Sequence, residues 1–393
     1  MMKTNKYIIE ALLFSSYVVF GMCWVAGAFF IPQMMQELNI KDLAAASNIT
    51  NAVSAAKIVG TFIAAGILAK LLAKKAVTLS MALMAVGILT PFAPNYEVLL
   101  VIRFLMGLGG ALLVVYFSPL IMQWFSPEER PVVNGINSVA FNVGTGIIFF
   151  FLADMVSILG DWKKTLIFIS AGSIVILVLW LLFGADGATS TANSNKSKSS
   201  YGMLDGLKEK FNWIYPLTYS GILSFYVILF SFYKNAGIDQ SKYLIIAGIV
   251  GTIAGIIVAQ KVKRRLPVLR ISGLLQLISI IGLHSKAWGL TDSDGLVVFF
   301  AVVAGFFVFF PMTCLISLGQ EQKGMTPEKA SVTFSLFWCI SYVVATFVPF
   351  IFAWLVDRNN GDYSVAFGFI TVIAPSFLIG SFFLPESASA KET

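Results

Sequence analysis

Long apolar runs separated by short polar stretches dominate the pattern along the chain. A helix that crosses a bilayer needs roughly 20 apolar residues, and these runs reach that length. The pattern therefore predicts an all-α polytopic membrane protein with twelve transmembrane helices. The predicted spans are about 8–35, 43–69, 76–94, 98–124, 132–156, 164–184, 212–234, 242–260, 267–289, 295–318, 330–355 and 364–384. The first run is too long for the apolar part of a signal peptide, which indicates a retained span.

A polar stretch between the sixth and seventh predicted spans divides the chain. Residues 186–211 contain a run rich in Ser, Asn and Lys that is typical of a flexible linker. Apolar positions from Met203 to Phe211 then recur at helical spacing, which indicates a short helix on the inner membrane surface. We predict an N-terminal six-helix bundle at 1–185, a cytoplasmic linker at 186–211 and a C-terminal six-helix bundle at 212–393.

Spans 2 and 8 carry similar stripes of small residues. The stripes are Ala52, Ala56, Gly60 and Ala64 in span 2, and Ala247, Gly251, Gly255 and Ala259 in span 8. Small side chains let helices approach closely in lipid, where the hydrophobic effect does not drive their association. The matching stripes favour two repeated halves that pack across a common seam.

Composition narrows the class of protein further. Apolar residues make up 58% of the chain and charged residues only 12%, against about 25% charged in soluble domains. These values exclude a soluble globular domain, a disordered chain and a disulfide scaffold. Cys23, Cys314 and Cys339 lie inside apolar runs, and His284 is the single histidine. We therefore expect no metal site, no cofactor and no enzymatic activity.

The net charge of +7 follows from the distribution of Lys and Arg. With the N-terminus in the cytoplasm, eighteen of the 27 basic residues fall in cytoplasmic segments and seven in outer loops. This bias predicts that both termini are cytoplasmic in a plasma or inner membrane. It also removes any need for a nucleic-acid partner.

Three sequence motifs occur in order along the first half. They are RFLMGLGGA at 103–111, FSPEER at 125–130 and GDWK at 160–163. Together they resemble the fourth-helix RxxxGxGGA pattern, the following xPxER loop and the GxW[RK] start of helix 6 in the major facilitator superfamily. The resemblance implies two six-helix pseudo-repeats and a secondary transporter that works by alternating access. A weaker similarity is to the cyanate/nitrate-porter branch, although span 8 lacks the buried cation of its nitrate members.

The chain departs from the family in the loop between helices 2 and 3. Its usual pattern is GxxxD[RK]xG[RK][RK], of which Gly66, Lys74 and Lys75 are present. Lys70 replaces the aspartate and Ala73 replaces the second glycine. The GPxxG pattern of antiporters is also absent from span 5, which disfavours a drug/proton antiporter.

Lys57 lies near the middle of span 2, on one stripe of polar residues. The stripe consists of Ser47, Asn51, Ser54, Lys57 and Thr61. A charge at this depth is costly and is a functional candidate by default, so we expect Lys57, Asn51 and Ser54 to contact an anionic substrate group. The alternative is a structural lysine bound by backbone carbonyls.

Unlike Lys57, the acidic residues within the predicted spans are expected near the membrane boundaries. Glu10 and Asp154 lie near the ends of their spans. Two buried cations, Lys57 and Arg103, without a buried acid favour an anionic or zwitterionic solute.

The remaining candidates fall into two groups. Aromatic and polar residues expected to line the substrate path are Trp24, Tyr17, Tyr116, Asn142, Tyr219, Tyr226, Trp338 and Tyr342. The resemblance implies coupling or gating roles for Arg103, Gly107, Gly110, Lys74, Lys75 and Arg130. For Arg103 the alternative is a structural side chain that donates to carbonyls.

We therefore predict a secondary transporter for a small organic anion or an amino-acid-like zwitterion. The alternative within transport is efflux of multiple drugs or lipophilic cations, using the aromatic residues. A non-transporting membrane receptor is a remote alternative. The expected partners are a small-molecule substrate and the lipid bilayer, with a coupling proton or ion left open and the protein a monomer.

Overall fold

A computed structural model describes residues 5–40, 43–187, 201–233, 236–238 and 241–388. Every regular element in these ranges is helical. The helices are α1 (Lys6–Phe29), α2 (Ile31–Glu37), α3 (Leu43–Ala85), a 3-10 helix (Val86–Phe92), α4 (Tyr96–Trp124), α5 (Arg130–Leu159), α6 (Trp162–Phe183), α7 (Met203–Lys208), α8 (Phe211–Phe232), α9 (Ser241–Lys261), α10 (Leu266–His284), α11 (Asp294–Phe309), α12 (Met312–Gln320), α13 (Pro327–Arg358), α14 (Ser364–Ile373) and α15 (Ser376–Gly380). Half of the linker predicted at 186–211, residues 188–200, lies outside the described residues.

The helices match the predicted membrane spans closely. Eight stretches among the described residues are long and apolar enough to cross a membrane, and one of them, Asn48–Phe92, is 45 residues long and holds two predicted spans. The two shorter apolar helices Ile246–Lys261 and Ser364–Gly380 and the 22-residue helix α8 fall on the other three. The chain is thus a multi-pass membrane protein.

Polar caps and prolines set where the helices begin and break. Asn95 and Asp161 start α4 and α6 by accepting backbone N–H groups from Val98 and Lys164, which satisfies donors that the first helical turn leaves unpaired. Proline lacks an N–H and its ring clashes with the preceding turn. Breaks accordingly lie next to Pro32, Pro311 and Pro375, between α1 and α2, α11 and α12, and α14 and α15.

Leu72 divides α3 into its two predicted spans. Its backbone has φ 62° and ψ 171°, a conformation that is essentially restricted to glycine. The position falls in the loop between predicted helices 2 and 3, where Ala73 replaces the family's glycine. A leucine therefore carries the strained turn in this chain.

The chain forms two compact units, each with its own core. Unit 1 consists of Met1–Ser126, Val139–Met203 and Thr326–Ser335, and unit 2 of Pro127–Ser138, Leu204–Met325 and Leu336–Thr393. In unit 1, α4 packs against α1 and α3, and α6 also packs against α1 and α3. In unit 2, α11 packs against α9 and α10, and α15 packs against α8 and α10.

The small-residue stripes pack within the units. A Cβ at Gly60 would lie 2.7 Å from the Ala111 side chain on α4, and one at Gly251 would overlap the Phe306 carbonyl on α11. Each stripe thus lets its helix approach another helix of the same unit. The sequence predicted that the stripes pack across a seam between the two halves. The contacts of Gly60 and Gly251 instead lie within one unit each.

Candidate functional site

Lys57 is buried on α3, with only 6% of its surface exposed. Its Nζ lies 4.0 Å from the centroid of the Trp24 ring, 5.3 Å from that of Phe141 and 6.0 Å from that of Phe20. A cation within about 6 Å of a ring centroid is attracted by the negative face of the ring. These four residues, which we call the cation cage, hold a positive charge among aromatic faces.

Helical spacing on α1 brings the rings of the cage together. Tyr17, Phe20 and Trp24 share one face of the helix because they are three, four and seven residues apart. Ring centroids are 5.6 Å apart between Tyr17 and Phe20, and 5.3 Å apart between Trp24 and Phe141 of α5. Trp24 is half-buried, and so is Asn142, which follows Phe141 on α5. The cage therefore has a partly exposed side.

The predicted polar stripe of span 2 divides into two parts. Asn51 is exposed and Ser54 half-buried, so both have polar atoms within reach of a solute or solvent. Thr61 is fully buried and its hydroxyl donates to the Lys57 carbonyl over 2.7 Å, which makes it part of the helix. The side chain of Ser47 lies outside the described residues.

Arg103 of α4 is buried beside the cage, with 1% of its surface exposed. Its Nη1 donates to the Cys23 carbonyl over 3.3 Å, and its Nη2 to the Trp24 carbonyl over 3.2 Å. Its Nε has no hydrogen-bond partner among the residues that the structure describes. A Cβ at Gly27 would overlap the guanidinium, so α1 has a glycine where the arginine crosses it.

The other candidates on α4 are also buried. A Cβ at Gly107 would lie 2.9 Å from the Val53 Cα, and one at Gly110 would overlap the Phe20 ring. Tyr116 is fully buried, and its hydroxyl has no hydrogen-bond partner within the described ranges. Both glycines thus allow close contacts with helices that carry the cage.

Unit 2 contains the second group of predicted aromatic residues. The centroid of Trp338 lies 5.8 Å from that of Tyr219 and 5.7 Å from that of Tyr342. Tyr226 packs edge-on against Phe309 at 5.7 Å. Trp338, Tyr342 and Tyr226 are half-buried, so each has an accessible part of its ring.

The predicted gating residues in unit 1 meet the end of α6. The Lys74 N–H donates to Asp186 over 2.7 Å, and its Nζ donates to the Leu181 carbonyl over 3.3 Å. Lys75 is exposed. A carboxylate therefore does reach this loop, although it comes from Asp186 and not from position 70, where the chain has Lys70.

Arg130 belongs to unit 2, where Glu128 and Glu321 are its electrostatic neighbours. Glu321 also binds Arg265, whose Nη2 lies 2.8 Å from its Oε1. Burial disfavours the charge on Arg265, but the hydrogen bonds and charge of Glu321 outweigh it and raise the Arg265 pKa. The Arg265 N–H donates to Glu386 over 2.8 Å, so these charges join the loop before α10 to the C-terminal segment.

His284, which the sequence did not single out as a site residue, joins three helices of unit 2. Its Nδ1 lies 2.7 Å from the Thr371 hydroxyl and its Nε2 lies 2.5 Å from the Tyr233 hydroxyl. Since Thr371 donates its proton to the Phe367 carbonyl, it must accept from His284. The proton is therefore on Nδ1, and Nε2 accepts from Tyr233.

Sequence reasoning also missed two aromatic residues of the cage, and it did not predict that Glu10 is buried. Phe20 had a detectable signal, because it shares a helix face with Tyr17 and Trp24. Phe141 had none among the 35 phenylalanines. Glu10 is buried, with 8% of its surface exposed, so the expectation of buried cations without a buried acid is wrong.

A family model supports the resemblance, and two uncharacterized proteins are related to the chain. The family model described as Major Facilitator Superfamily matches residues 13–337. Cj0987c, an uncharacterized protein of Campylobacter jejuni, is 30% identical over 224 residues, which cover 57% of this chain and 68% of the relative. The uncharacterized protein mhp246 of Mesomycoplasma hyopneumoniae is 19% identical over 328 residues, which cover 75% of this chain and 68% of the relative.

Solved structures share the fold along nearly the whole chain. The proton:xylose symporter XylE has a TM-score of 0.76 at 13% identity, with 98% of this chain and 97% of that chain covered. The Escherichia coli fucose:proton symporter FucP has a TM-score of 0.74 at 15% identity, with 97% of this chain and 99% of that chain covered. The human organic anion transporter MFSD10 has a TM-score of 0.66 at 12% identity, with 97% of this chain and 99% of that chain covered. These matches confirm the predicted twelve-helix fold.

Proposed function

Since the chain belongs to the major facilitator superfamily, a family of membrane transporters, we propose that it moves a small organic anion or an amino-acid-like zwitterion. Transport proceeds by rocker-switch alternating access of two six-helix bundles, at 1–185 and 212–393. The observation that carries the substrate class is the ammonium of Lys57, buried among the rings of Trp24, Phe20 and Phe141.

A buried ammonium favours an anion because opposite charges attract strongly in a low-dielectric site. Inserting a lysine at the centre of a membrane helix costs about 2.5–3.5 kcal/mol, and a desolvated cation–π contact returns about 2 kcal/mol. A carboxylate that reaches Lys57 forms a much stronger interaction in the same low-dielectric site. The cage thus holds the cation in place until an anionic group binds.

The residues around the cage suit a small, partly polar solute. Asn51 is exposed, and Ser54, Asn142 and the Trp24 ring are half-buried. A small carboxylate or amino acid would place its carboxylate at Lys57 and its remaining polar groups on the amides and the hydroxyl.

The shared fold does not select the substrate. XylE and FucP are named as sugar symporters and MFSD10 as an organic anion transporter, so one fold serves both chemistries. The proposal therefore rests on Lys57. Buried Glu10 is the candidate carrier of a coupling proton, and we propose a monomer in the plasma or inner membrane with both termini cytoplasmic.

Uptake into proteoliposomes tests the proposal with radiolabelled lactate, succinate and glutamate as probes. We expect at least one of them to be taken up with saturation, and Lys57→Ala to weaken its apparent affinity. The loss should be at least about thirtyfold, since truncating one partner of a buried charge pair costs about 2–5 kcal/mol.

Lys164→Ala is the matched control, because its side chain is 67% exposed and lies at the start of α6 in the same unit. This variant should transport like the wild type. An unchanged affinity of Lys57→Ala for every anion that the protein transports would refute the proposed role.

The aromatic group of unit 2 favours one competing function. Tyr219, Trp338 and Tyr342 form a cluster without a basic residue among them, and aromatic faces bind organic cations. Ethidium efflux from the same vesicles distinguishes the two functions. Ethidium transport that is lost in Trp338→Ala and kept in Lys57→Ala would support the lipophilic-cation alternative.

A further inference from the structure

One face of α4 contacts several parts of the cation cage. Arg103, Gly107 and Gly110 are four and seven residues apart, which places them on the same side of a helix. The resemblance assigns them to coupling or gating. Their contacts in unit 1 favour the structural alternative given for Arg103 and extend it to both glycines.

Arg103 acts on the part of α1 that carries Trp24. Its two terminal nitrogens donate to the carbonyls of Cys23 and Trp24, and Gly27 leaves room for the guanidinium one turn later. Both bonds go to backbone atoms, so they fix the height and rotation of the helix. The Trp24 ring, 4.0 Å from the Lys57 ammonium, depends on that rotation.

The two glycines act on the other parts of the cage. Gly110 lies against the face of the Phe20 ring, where any Cβ would overlap the ring. Gly107 lies against Val53 and Ala56, where a Cβ would be 2.9 Å from the Val53 Cα and 3.1 Å from the Ala56 Cβ. Ala56 directly precedes Lys57, so this contact sets how closely α3 approaches α4.

We propose that Arg103, Gly107 and Gly110 are positioning residues, which align α1 and α3 so that Trp24 and Phe20 stay against the Lys57 ammonium. This inference rests on the proposed function of Lys57 as the partner of an anion. Disturbing the alignment changes the affinity for anions while the charge itself remains present.

Gly109 provides a matched control on the same helix. A Cβ at Gly109 would lie 2.5 Å from the Ser80 carbonyl oxygen and 2.6 Å from the Met84 backbone nitrogen. Gly109→Ala is therefore as crowded as a substitution on the cage face. Its strain falls on the C-terminal part of α3, away from Trp24 and Lys57.

The test uses the full-length protein with Trp24 as its only tryptophan, the other seven of the eight being replaced by Phe. Two readouts need no knowledge of the substrate. The emission of Trp24 reports its surroundings, and the ratio of quenching by iodide to quenching by neutral acrylamide reports the positive charge beside the ring.

We expect Gly110→Ala and Arg103→Lys each to lower the iodide-to-acrylamide quenching ratio at least about twofold, because an ammonium farther from the ring attracts less iodide to it, and to shift the Trp24 emission. Gly109→Ala should lower the melting temperature and leave both optical readouts unchanged. Equal optical changes in Gly109→Ala and Gly110→Ala, or no change in Gly110→Ala and Arg103→Lys, would overturn the inference.

Lys57→Met separates this inference from the proposed function. A ratio that is the same in the wild type and in Lys57→Met would mean that Lys57 draws no anion to the cage, so the proposed function would fail. The positioning role would then still be decided by the Trp24 emission of the Gly109 and Gly110 variants.

Discussion

Lys57 of unit 1 and His284 of unit 2 are both buried among aromatic rings. They differ in how exposed the neighbouring rings are and in the contacts that their nitrogens make. Lys57 of unit 1 lies against Trp24, which is half-buried. His284 of unit 2 stacks on Phe367 with centroids 4.5 Å apart and is fully buried. Both nitrogens of His284 are joined to side chains of other helices, Tyr233 and Thr371.

Under the proposed function, this difference separates a substrate-binding polar group from a structural one. In the His284 network each hydrogen bond fixes the proton of the next, and the network connects α10 and α14 to Tyr233, the residue that follows α8. The ammonium of Lys57 lies against the face of Trp24, whose ring is only half-buried. Burial and aromatic neighbours are common to both, so accessibility carries the distinction.

The largest effect on stability is expected from His284→Ala. The change leaves the Tyr233 hydroxyl and the Thr371 oxygen without their partner, and it opens a cavity between three helices. We expect the free energy of unfolding to fall by about 2–4 kcal/mol, measured by denaturation of the purified protein in detergent, with the affinity for anions retained.

Ser285→Ala is the control for this prediction. The Ser285 side chain is also buried, but its hydroxyl donates within its own chain segment, to the Gly282 carbonyl over 2.6 Å. Its loss should cost much less. A His284→Ala protein as stable as Ser285→Ala would mean that the network does not join the helices, and the contrast between the two units would fail.

The sequence predicted the fold more completely than the site. Twelve spans follow from the apolar runs because a bilayer leaves few alternatives to helices of that length. Lys57 and Arg103 could be found because charges in such runs are rare. Phe141 and His284 could not, since their roles depend on which helices lie beside them.

The break at Leu72 shows the same limit. The sequence indicated a loop between spans 2 and 3 from Lys70, Lys74 and Lys75. It gave no sign that a leucine would adopt a conformation typical of glycine, because the favoured glycine is absent from the pattern. Local sequence thus located the turn, and tertiary packing determined its geometry.

Lys57→Met provides the second way to test the comparison. Methionine keeps most of the side-chain volume and removes a charge that costs about 2.5–3.5 kcal/mol to insert. We expect the free energy of unfolding to stay within about 1 kcal/mol of the wild type or to rise, because the lost cation–π attraction of about 2 kcal/mol is offset by the insertion cost that is no longer incurred.

Arg265→Met is the contrasting substitution for this prediction. Arg265 is paired with Glu321, so removing the guanidinium takes its hydrogen bonds away from a partly buried carboxylate. Denaturation should show this variant to be less stable than the wild type. If Lys57→Met lost as much stability as Arg265→Met, Lys57 would be structural, and the cage would resemble the His284 network.

The smallest effect is expected at two helix starts outside the membrane spans. Asp161 caps α6 in unit 1 by accepting the Lys164 N–H over 2.8 Å, and Ser293 caps α11 in unit 2 by accepting the Leu296 N–H over 3.3 Å. The hydrogen bond from the Lys164 backbone lowers the Asp161 pKa. A carboxyl whose pKa is depressed by folding stabilises the protein above its unfolded pKa, and this stabilisation disappears as the pH falls through the folded pKa.

Asp161→Ser should therefore reduce the loss of thermal stability between about pH 6 and about pH 3, since a hydroxyl cap does not titrate there. The change is small because the carboxylate is solvent-exposed and acts only on the first turn of α6. Ser293→Ala, the control in unit 2, should lower the melting temperature equally at both pH values. Parallel melting curves for the wild type and Asp161→Ser across this range would show that the cap of α6 does not depend on its charge, which would remove the difference between the two helix starts.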